Sequence, residues 1–384
     1  MRLFISAGEP SGDLHGANLI QSLRRRRPGV EVHGFGGDRM AAAGCHLLFP
    51  LCDLALVGCF RVLASVPRFY GILGQADRFF HEHRPDAVVL IDYPGFHWWL
   101  ARCARAHGIP VFYFVPPQLW GWLSGRVRKM RRLVDHVLCT LPFEEPWYRE
   151  RGVPARYIGH PYFDELRGQR LDGAFVAAQR ARPGTVVGLL PGSRNQELHY
   201  NLDSLVRAAG LVHRRRPDVR FLVACLKPEH ARRARAHLRD PALPVEVHAG
   251  RTPEIIHLAH SCISVSGSVS LELLYRARPA VVVYRHHWSG ILLARLLQRC
   301  PYISLVNLLA GKPLYPEFLT ARCPAEGMAG HVLRWLDDRH AYEALCGELA
   351  ALRDRVAEPG ACDRAAAAVL DVLDGRAAPS PRAA

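Results

Sequence analysis

Short apolar runs alternate along the chain with longer segments in which apolar residues recur every three or four positions. The runs at 87–91 and 185–190 contain almost nothing else, which is typical of strands buried on both faces of a parallel sheet. The segment 198–212 has helical spacing instead. This alternation predicts an α/β protein with doubly wound parallel sheets and helices on both faces.

The predicted strands fall into two groups separated by a polar segment at 167–182. That segment is broken by glycine and proline and is the predicted linker. We therefore expect two Rossmann-like domains facing each other across a cleft, at 1–167 and 183–355, followed by a C-terminal helix and disordered tail at 356–384. The strands are predicted at 2–7, 31–35, 87–91, 111–115 and 136–141, and at 185–190, 219–225, 245–248, 262–265 and 280–284.

The turn at 191–195 joins a predicted strand to a predicted helix. Gly192 allows the backbone to come close to a ligand, and Ser193 or Asn195 can cap the helix. The planar guanidinium of Arg194 adds several N–H hydrogen-bond donors. Free N–H groups at a helix N-terminus favour an anion such as phosphate. An ordinary turn with a solvated arginine remains the alternative.

A second strand-to-helix turn contains Ser266, Gly267 and Ser268. It predicts another anion-binding helix terminus. Glu272 lies about one turn into that helix, where its carboxylate could accept both hydroxyls of a ribose. The alternative is a helix residue paired with Arg276 at i+4.

Asp92 ends the apolar strand at 87–91, just before Pro94 and Gly95. A carboxylate at the carboxyl end of such a strand is a candidate general base for a hydroxyl. The alternative is a turn or a helix cap. Other candidate bases nearby in sequence are Glu9, Asp13, His15 and His97; we expect Asp13 to be a cap and the histidines to be structural.

Composition narrows the class of partner. The 384 residues are 49% hydrophobic and 22% charged, with a net charge of +15 supplied mostly by arginine. Such a charge favours acidic membrane surfaces or phosphorylated substrates, unless it only reflects genome composition. No zinc-finger or RNA-binding pattern occurs, so we expect no nucleic acid partner.

The cysteines and the N-terminus indicate the compartment. The 11 cysteines are scattered along the chain, which is typical of reduced thiols in the core of a cytosolic protein. The N-terminus does not resemble a signal peptide.

Two apolar stretches, 54–73 and 288–297, contain or are flanked by arginines, and 126–132 holds five basic residues. Neither apolar stretch reaches the roughly 20 uninterrupted apolar residues that span a bilayer. Each stretch has two open interpretations: a core helix, or a surface that lies on anionic lipid or holds acyl chains. The sequence 375–384 is a predicted frayed tail.

Several of these segments together resemble the lipid-A-disaccharide synthase family. They occur in order over most of the chain. They are Gly-Glu-Pro-Ser-Gly-Asp at 8–13, Asp-Tyr-Pro-Gly-Phe at 92–96, Trp-Gly-Trp at 120–122, Leu-Pro-Phe-Glu at 141–144, Tyr-Ile-Gly-His at 157–160, Leu-Pro-Gly-Ser-Arg at 190–194, Ser-Gly-Ser with Glu272 at 266–272, and Ser-Leu-Val-Asn-Leu-Leu-Ala-Gly at 304–311.

The resemblance implies a GT-B fold and an inverting glycosyl transfer without metal or other cofactor. The implied donor is UDP-2,3-diacylglucosamine, and the implied acceptor is 2,3-diacylglucosamine 1-phosphate (lipid X). Asp92 takes the position of the family's catalytic aspartate and Arg194 that of its essential arginine. The matched acceptor or inter-domain positions are Glu9, Ser11, Asp13 and Asn307.

The sequence departs from the family pattern at Pro10, where threonine is usual, and at His97, where asparagine is usual. Two further readings stay open. One is another UDP-sugar GT-B enzyme, either a MurG-like transferase or a UDP-N-acetylglucosamine epimerase; the other is a non-catalytic module that binds lipid or a nucleotide sugar. We expect a cytoplasmic protein associated peripherally with the inner membrane, and a homodimer remains open.

Overall fold

The computed structural model describes residues 1–55, 62–121, 124–238, 240–298 and 300–375. The chain divides into two compact units. Unit 1 comprises Met1–Asp164 and Glu358–Ala384, and unit 2 comprises Glu165–Ala357. The predicted tail beyond residue 375, and residues 56–61 of the apolar stretch 54–73, lie outside the described residues.

Unit 1 is built on a seven-stranded sheet with the order β3-β2-β1-β4-β5-β6-β7. Every neighbouring pair of these strands is parallel. The strands are β1 (Arg2–Ala7), β2 (Glu31–Phe35), β3 (His46–Phe49), β4 (Ala87–Ile91), β5 (Val111–Phe114), β6 (His136–Cys139) and β7 (Ala155–Tyr157). The central strand β4 is buried along its whole length, as expected for a parallel sheet covered on both faces.

Helices cover both faces of this sheet. They are α1 (Pro10–Arg26), α2 (Asp38–Ala42), α3 (Leu51–Ala55), α4 (Val62–His83), α5 (Pro94–Ala106), α6 (Val127–Leu133), α7 (Glu144–Arg149), α8 (Pro161–Gly168, which contains the unit boundary) and α18 (Ala361–Leu373). Alternate residues of the strands enter two separate cores. Phe4 and Leu90 join the core under α4 and α5, whereas Leu3 and Ile5 join the core under α1 and α18.

The last helix, α18, returns the chain to unit 1. Its small residues Ala365 and Ala366 are fully buried in the core that also contains Leu19 of α1. Arg25 of α1 forms an ion pair with Asp363 at 2.7 Å. The C-terminal helix is therefore an integral layer of unit 1.

Unit 2 has a six-stranded parallel sheet with the order β10-β9-β8-β11-β12-β13. Its strands are β8 (Thr185–Leu190), β9 (Val219–Cys225), β10 (Val245–Ala249), β11 (Ser261–Val265), β12 (Ala280–Arg285) and β13 (Glu317–Thr320). Its helices are α9 (Gly173–Arg180), α10 (Asn195–Arg215), α11 (Pro228–His237), α12 (Thr252–Leu258), α13 (Val269–Tyr275), α14 (Trp288–Leu297), α15 (Leu305–Ala310), α16 (Ala325–Asp337) and α17 (Arg339–Val356).

One difference from the sequence pattern concerns 8–13, whose glycines and proline predict a loop. Helix α1 begins at Pro10, so most of that segment is the first helical turn. Proline suits this position because the first-turn N–H groups of a helix have no partner within the helix. The motif therefore places Glu9 at the N-cap of α1.

Within the part of the chain that the structure describes, none of the helices has the length and apolar character needed to cross a membrane. The ten cysteines there are all free thiols.

Candidate active site at two strand edges

The turn that follows β4 has an unusual backbone. Asp92 and Tyr93 have φ angles of 49° and 50°, a left-handed conformation that disfavours residues other than glycine. Each such residue costs on the order of 1–3 kcal/mol and persists only where its surroundings enforce it. Asp92 is half-buried.

Two buried side chains enforce this turn by binding the backbone carbonyl of Asp92. Tyr113 Oη donates to that oxygen at 2.7 Å, and His97 Nδ1 lies 2.6 Å from it. Because a carbonyl oxygen can only accept, Nδ1 carries the proton, and Nε2 accepts from Ser6 Oγ at 2.9 Å. Burial lowers the pKa of His97 to about 4, so the ring is neutral at pH 7. The prediction that His97 is structural is confirmed.

Asp13 is buried, and its carboxylate binds the backbone at the start of α2. Its carboxylate accepts hydrogen bonds from the backbone N–H groups of Gly37 at 2.8 Å, Arg39 at 3.1 Å and Met40 at 3.1 Å. These groups form the N-terminus of α2, which begins at Asp38, so Asp13 caps that helix. The expectation that Asp13 caps the helix following it in the chain is wrong, because Asp13 lies within the first turn of α1 and caps α2 instead.

Glu9 and Ser11 lie at the same sheet edge as Asp92, because β1 pairs in parallel with β4. The two turns are in contact: a Cβ at Gly8 would come within 2.2 Å of the ring of Tyr93. Glu9 is half-buried and Ser11 is exposed. The structure therefore brings these two predicted positions together with the Asp92 turn.

An apolar cavity of about 470 Å³ opens beside this turn, between α4 and α5. Tyr93, directly after Asp92, forms part of its wall. The lining residues are Phe69, Tyr70, Leu73, Tyr93, Gly95, Phe96 and Trp99. Tyr70 and Trp99 are exposed, whereas Ile72 on the same helix is buried in the core of unit 1. The core interpretation of 54–73 therefore holds for Ile72, and contact of the exposed side chains with lipid or an acyl chain stays a prediction.

In unit 2, the turn after β8 is held by the helix that it precedes. The Glu197 carboxylate of α10 accepts hydrogen bonds from the N–H groups of Ser193 at 2.8 Å and Arg194 at 3.1 Å. Gly192 has a φ of 102°, and a Cβ there would lie 2.5 Å from the Glu197 carboxylate. The glycine is therefore needed both for its backbone angle and for this close contact.

These contacts correct two expectations about the turn. The N–H groups of Ser193 and Arg194 are not free, because Glu197 already binds them. The N-cap residue is Arg194, not Ser193 or Asn195. The Arg194 guanidinium lies 3.5 Å from Glu197, yet its side chain is 75% exposed, so it remains available to an incoming anion.

The turn at 266–268 lies at the same edge as the turn after β8, since β8 and β11 are parallel neighbours. Gly267 and Ser268 are exposed, and Ser266 Oγ donates to the carbonyl of Ile303 at 3.2 Å. The two predicted anion-binding turns of unit 2 are thus adjacent.

Glu272 is only 3% exposed and lies 3.3 Å from Arg276 Nε. The predicted i+4 pair with Arg276 is therefore confirmed. Contact with a ribose stays a prediction.

Asn307 is fully buried. Its amide donates to the Tyr315 carbonyl and to the Glu317 carboxylate, each at 2.8 Å, and accepts from the Tyr315 N–H at 2.8 Å. These bonds join α15 to the segment that leads into β13. The Asn307 amide therefore has a structural role, and these partners, Tyr315 and Glu317, lie within unit 2.

Helix α14 exposes apolar side chains that the core interpretation does not explain. Trp288, Leu292, Leu293 and Leu296 have exposed fractions between 53% and 74%. Arg285, one of the arginines that flank this stretch, donates to the Tyr200 carbonyl and Ser204 Oγ of α10. The helix itself was predicted correctly, but the core interpretation of its exposed face is wrong.

Sequence analysis did not identify three residues that hold these turns in place. Tyr113 and Ser6 lie on strands distant from 92 in the chain, and nothing local indicates their contact. Glu197, in contrast, had a signal: a glutamate at the third position of a helix is the residue that a capping box uses.

The comparison with protein families decides the identity of the chain. The family model for lipid-A-disaccharide synthetase matches residues 3–369. The chain belongs to the lipid-A-disaccharide synthase family. Lipid-A-disaccharide synthases from Anaeromyxobacter dehalogenans and Myxococcus xanthus are 38% and 37% identical to it, over 97% of this chain and 97% of each relative.

Solved structures agree on the fold. The UDP-GlcNAc 2-epimerase from Neisseria meningitidis, solved with UDP-GlcNAc, has a TM-score of 0.68 at 13% identity and covers 97% of this chain and 100% of its own. S. aureus MnaA, solved with UDP, has a TM-score of 0.68 at 11% identity, with 97% of each chain covered. At such low identity these likenesses support the fold alone, and they confirm the two Rossmann-like α/β units of the GT-B class.

Membership in the lipid-A-disaccharide synthase family makes the chain a glycosyltransferase of lipid A biosynthesis. The alternatives of a MurG-like transferase, an epimerase and a non-catalytic binding module are wrong.

Proposed function

We propose that the enzyme joins UDP-2,3-diacylglucosamine to 2,3-diacylglucosamine 1-phosphate (lipid X), giving the β-1′,6 disaccharide 1-phosphate and UDP. The observation that carries this proposal is the juxtaposition of the Asp92 turn with the apolar cavity between α4 and α5, since Tyr93 of that turn lines the cavity. A base beside an apolar cavity suits an acceptor that presents a hydroxyl and an acyl chain together.

Asp92 acts as the general base. It removes the proton from the 6-hydroxyl of lipid X, and the resulting oxygen attacks the anomeric carbon of the donor. The bond from that carbon to UDP breaks with inversion. A general base must lie within hydrogen-bonding distance of the hydroxyl whose proton it removes. His97 and Tyr113 bind the backbone carbonyl of Asp92 and fix the position of that residue before the acceptor binds.

Unit 2 binds the donor. Glu197 already occupies the N–H groups of Ser193 and Arg194, so we assign the diphosphate to the exposed Arg194 guanidinium and the turn at 266–268. Gly192 shapes the first turn, and Glu272, fixed by Arg276, accepts the ribose hydroxyls. Negative charge grows on the leaving UDP and is met by these donors, so the proposal includes no metal ion in the reaction.

The solved relatives support a nucleotide in this fold, because two of them were solved with UDP-GlcNAc and with UDP. Glu9 and Ser11 share the sheet edge of Asp92, and we assign them to the acceptor. Asp13 and Asn307 then support the site through the contacts described above rather than by touching substrate.

The apolar surfaces and the net charge of +15 support peripheral association with the cytoplasmic face of the inner membrane. The cavity between α4 and α5 would receive an acyl chain from that surface, and arginines would attract anionic headgroups. A homodimer remains a prediction.

The test is to incubate the purified enzyme with UDP-2,3-diacylglucosamine and lipid X and to detect the product by mass spectrometry. We expect one disaccharide 1-phosphate and one UDP for each donor consumed. UDP-N-acetylglucosamine, which lacks the long acyl chains, serves as the control donor and should give no product. Equal turnover of that control, or release of UDP without disaccharide, would contradict the proposal.

A further inference from the structure

A cluster of three possible metal ligands lies between α4 and α5. Asp77 projects from α4, Cys103 from α5, and His107 directly follows the end of α5. Asp77 Oδ1 lies 3.2 Å from Cys103 Sγ and 2.8 Å from His107 Nε2. The three ligand atoms all lie within 4.8 Å of one another.

The spacing of these residues is that of a site built on helices. Cys103 and His107 are four positions apart, and so are Asp77 and His81 on the facing helix. Residues at i and i+4 lie on one face of a helix, so His81 lies on the face of α4 that carries Asp77. The rings of His81 and His107 have their centroids 6.2 Å apart, and His81 is exposed, so a change of rotamer can turn its ring toward the cluster.

We propose that Asp77, Cys103, His107 and His81 bind one divalent transition-metal ion, with zinc the best match. Zinc takes four ligands in a tetrahedron and accepts thiolate sulfur, imidazole nitrogen and carboxylate oxygen. Magnesium and calcium prefer oxygen ligands alone, so the thiol and the imidazoles disfavour them. Four protein ligands close the coordination sphere, which is the pattern of a structural site rather than a catalytic one.

The position of the cluster indicates what a bound ion would do. A smaller cavity of about 340 Å³ has Asp77 and Cys103 in its wall, and it shares Leu73 and Trp99 with the apolar cavity beside Asp92. A metal bound here would tie α4 to α5 next to the walls of that cavity. It would fix the spacing of the two helices without entering the reaction, so the inference does not depend on the proposed function.

The competing explanation is a hydrogen-bond network without a metal. In that case Asp77 accepts from the Cys103 thiol and from a His107 ring N–H, and the three side chains only join the helices. The two explanations differ in one measurable property, because only the metal site places a thiolate in direct contact with a cation.

The test uses the reduced, metal-free, tag-free full-length protein titrated with Co²⁺, a spectroscopic substitute for zinc. We expect one equivalent to bind and to give the near-ultraviolet charge-transfer band of a cobalt thiolate, which one equivalent of Zn²⁺ then removes. Cys103→Ser should abolish the band. The matched control is Cys323→Ser, which changes an exposed cysteine and should leave the band intact. Absence of the band in the wild type, its persistence in Cys103→Ser or its loss in Cys323→Ser would overturn the proposal.

Two further variants test the ligand set. His107→Ala and His81→Ala should each weaken Co²⁺ binding by at least the roughly tenfold that loss of an outer-shell partner causes, while the thiolate band persists at saturating metal. Unchanged affinity in either variant would contradict the four-ligand site. As a second readout, Zn²⁺ should raise the melting temperature of the wild type but not that of Cys103→Ser. An equal rise in both would overturn the proposal.

Discussion

The turn after β4 and the turn after β8 both lead from a buried parallel strand into a helix, yet they are stabilised in different ways. At Asp92 the left-handed backbone is occupied by aspartate and tyrosine and is held through a backbone carbonyl by Tyr113 and His97. At Gly192 the left-handed position is a glycine, and the turn is held by the carboxylate of Glu197.

This difference matches what each turn has to do. Neutral, buried partners fix the backbone of Asp92, which suits a residue whose side chain must be aimed at one atom. The Gly192 turn is held by an exposed, charged contact that a competing anion can perturb, which suits reversible binding of a diphosphate. We therefore expect substitutions at the first turn to change turnover without changing UDP affinity, and substitutions at the second to change UDP affinity together with turnover.

The largest effect is expected at Asp92. Asp92→Asn keeps the shape and tolerates the left-handed backbone, but it removes the base. Turnover should fall by about 10²–10⁴-fold, while UDP affinity measured by calorimetry stays unchanged. Near-normal turnover in a folded variant would move the base to another residue, with Glu9 the first candidate.

Arg194→Ala should lower kcat/KM by roughly 10²-fold, within the range for losing one donor to a developing anion, and it should weaken UDP binding. Lysine at this position should rescue only part of the loss, because it lacks the planar fork. The matched control is Arg207→Ala, which removes an exposed arginine of the same helix and should leave both quantities unchanged. If Arg194→Ala behaves like this control, the diphosphate does not bind here.

Acid should destabilise unit 1 through His97. Its pKa falls from 6.5 to about 4 on folding because of burial, so below pH 6.5 the unfolded chain takes up a proton that the folded chain does not. The free energy of unfolding should then drop by up to about 3 kcal/mol between pH 6.5 and 4, at 1.36 kcal/mol per unit of pKa shift.

Replacing His97 by asparagine tests this dependence. The pH slope of the denaturant-unfolding free energy should become shallower in that interval. His199→Asn, at an exposed position in unit 2, should leave the slope unchanged. An equal slope in wild type and His97→Asn would mean that His97 is not held neutral by burial.

Much of the fold follows from local patterns, because a strand buried on both faces leaves a continuous apolar run. β1, β4 and β8 were predicted with the bounds that the structure has. The strands β3, β7 and β13 were not predicted, since they are three or four residues long and largely unburied. The helical pattern of α18 is local as well, but its packing on α1 involves residues more than 300 positions away.

The site was predictable only in part for the same reason. The end of an apolar run locates Asp92 at the carboxyl edge of a sheet, and parallel pairing brings 8–13 beside it. The left-handed backbone and its clamp depend on Tyr113, 21 residues away, which no local pattern connects to Asp92. The apolar cavity likewise exists only once α4 and α5 are packed together.

The smallest effect is expected at Glu197. Glu197→Gln keeps an acceptor for the Ser193 and Arg194 N–H groups but removes a negative charge next to the proposed diphosphate. An exposed interaction of this kind is worth at most about 1 kcal/mol, so UDP affinity should rise by up to about fivefold. Glu326→Gln, in the first turn of α16, is the control and should have no effect. Weaker UDP binding in Glu197→Gln would mean that the charged contact is needed for donor binding.

The central claim is that the turn after β4 belongs to the acceptor site and the turn after β8 to the donor site. Hydrogen–deuterium exchange with mass spectrometry tests this claim most directly. Adding UDP should slow amide exchange at 191–198 and 266–272, and adding lipid X should slow it at 69–73 and 92–99. UDP alone should leave the second pair of segments unchanged. Protection of 92–99 by UDP with none at 191–198, or protection by lipid X confined to unit 2, would contradict the account.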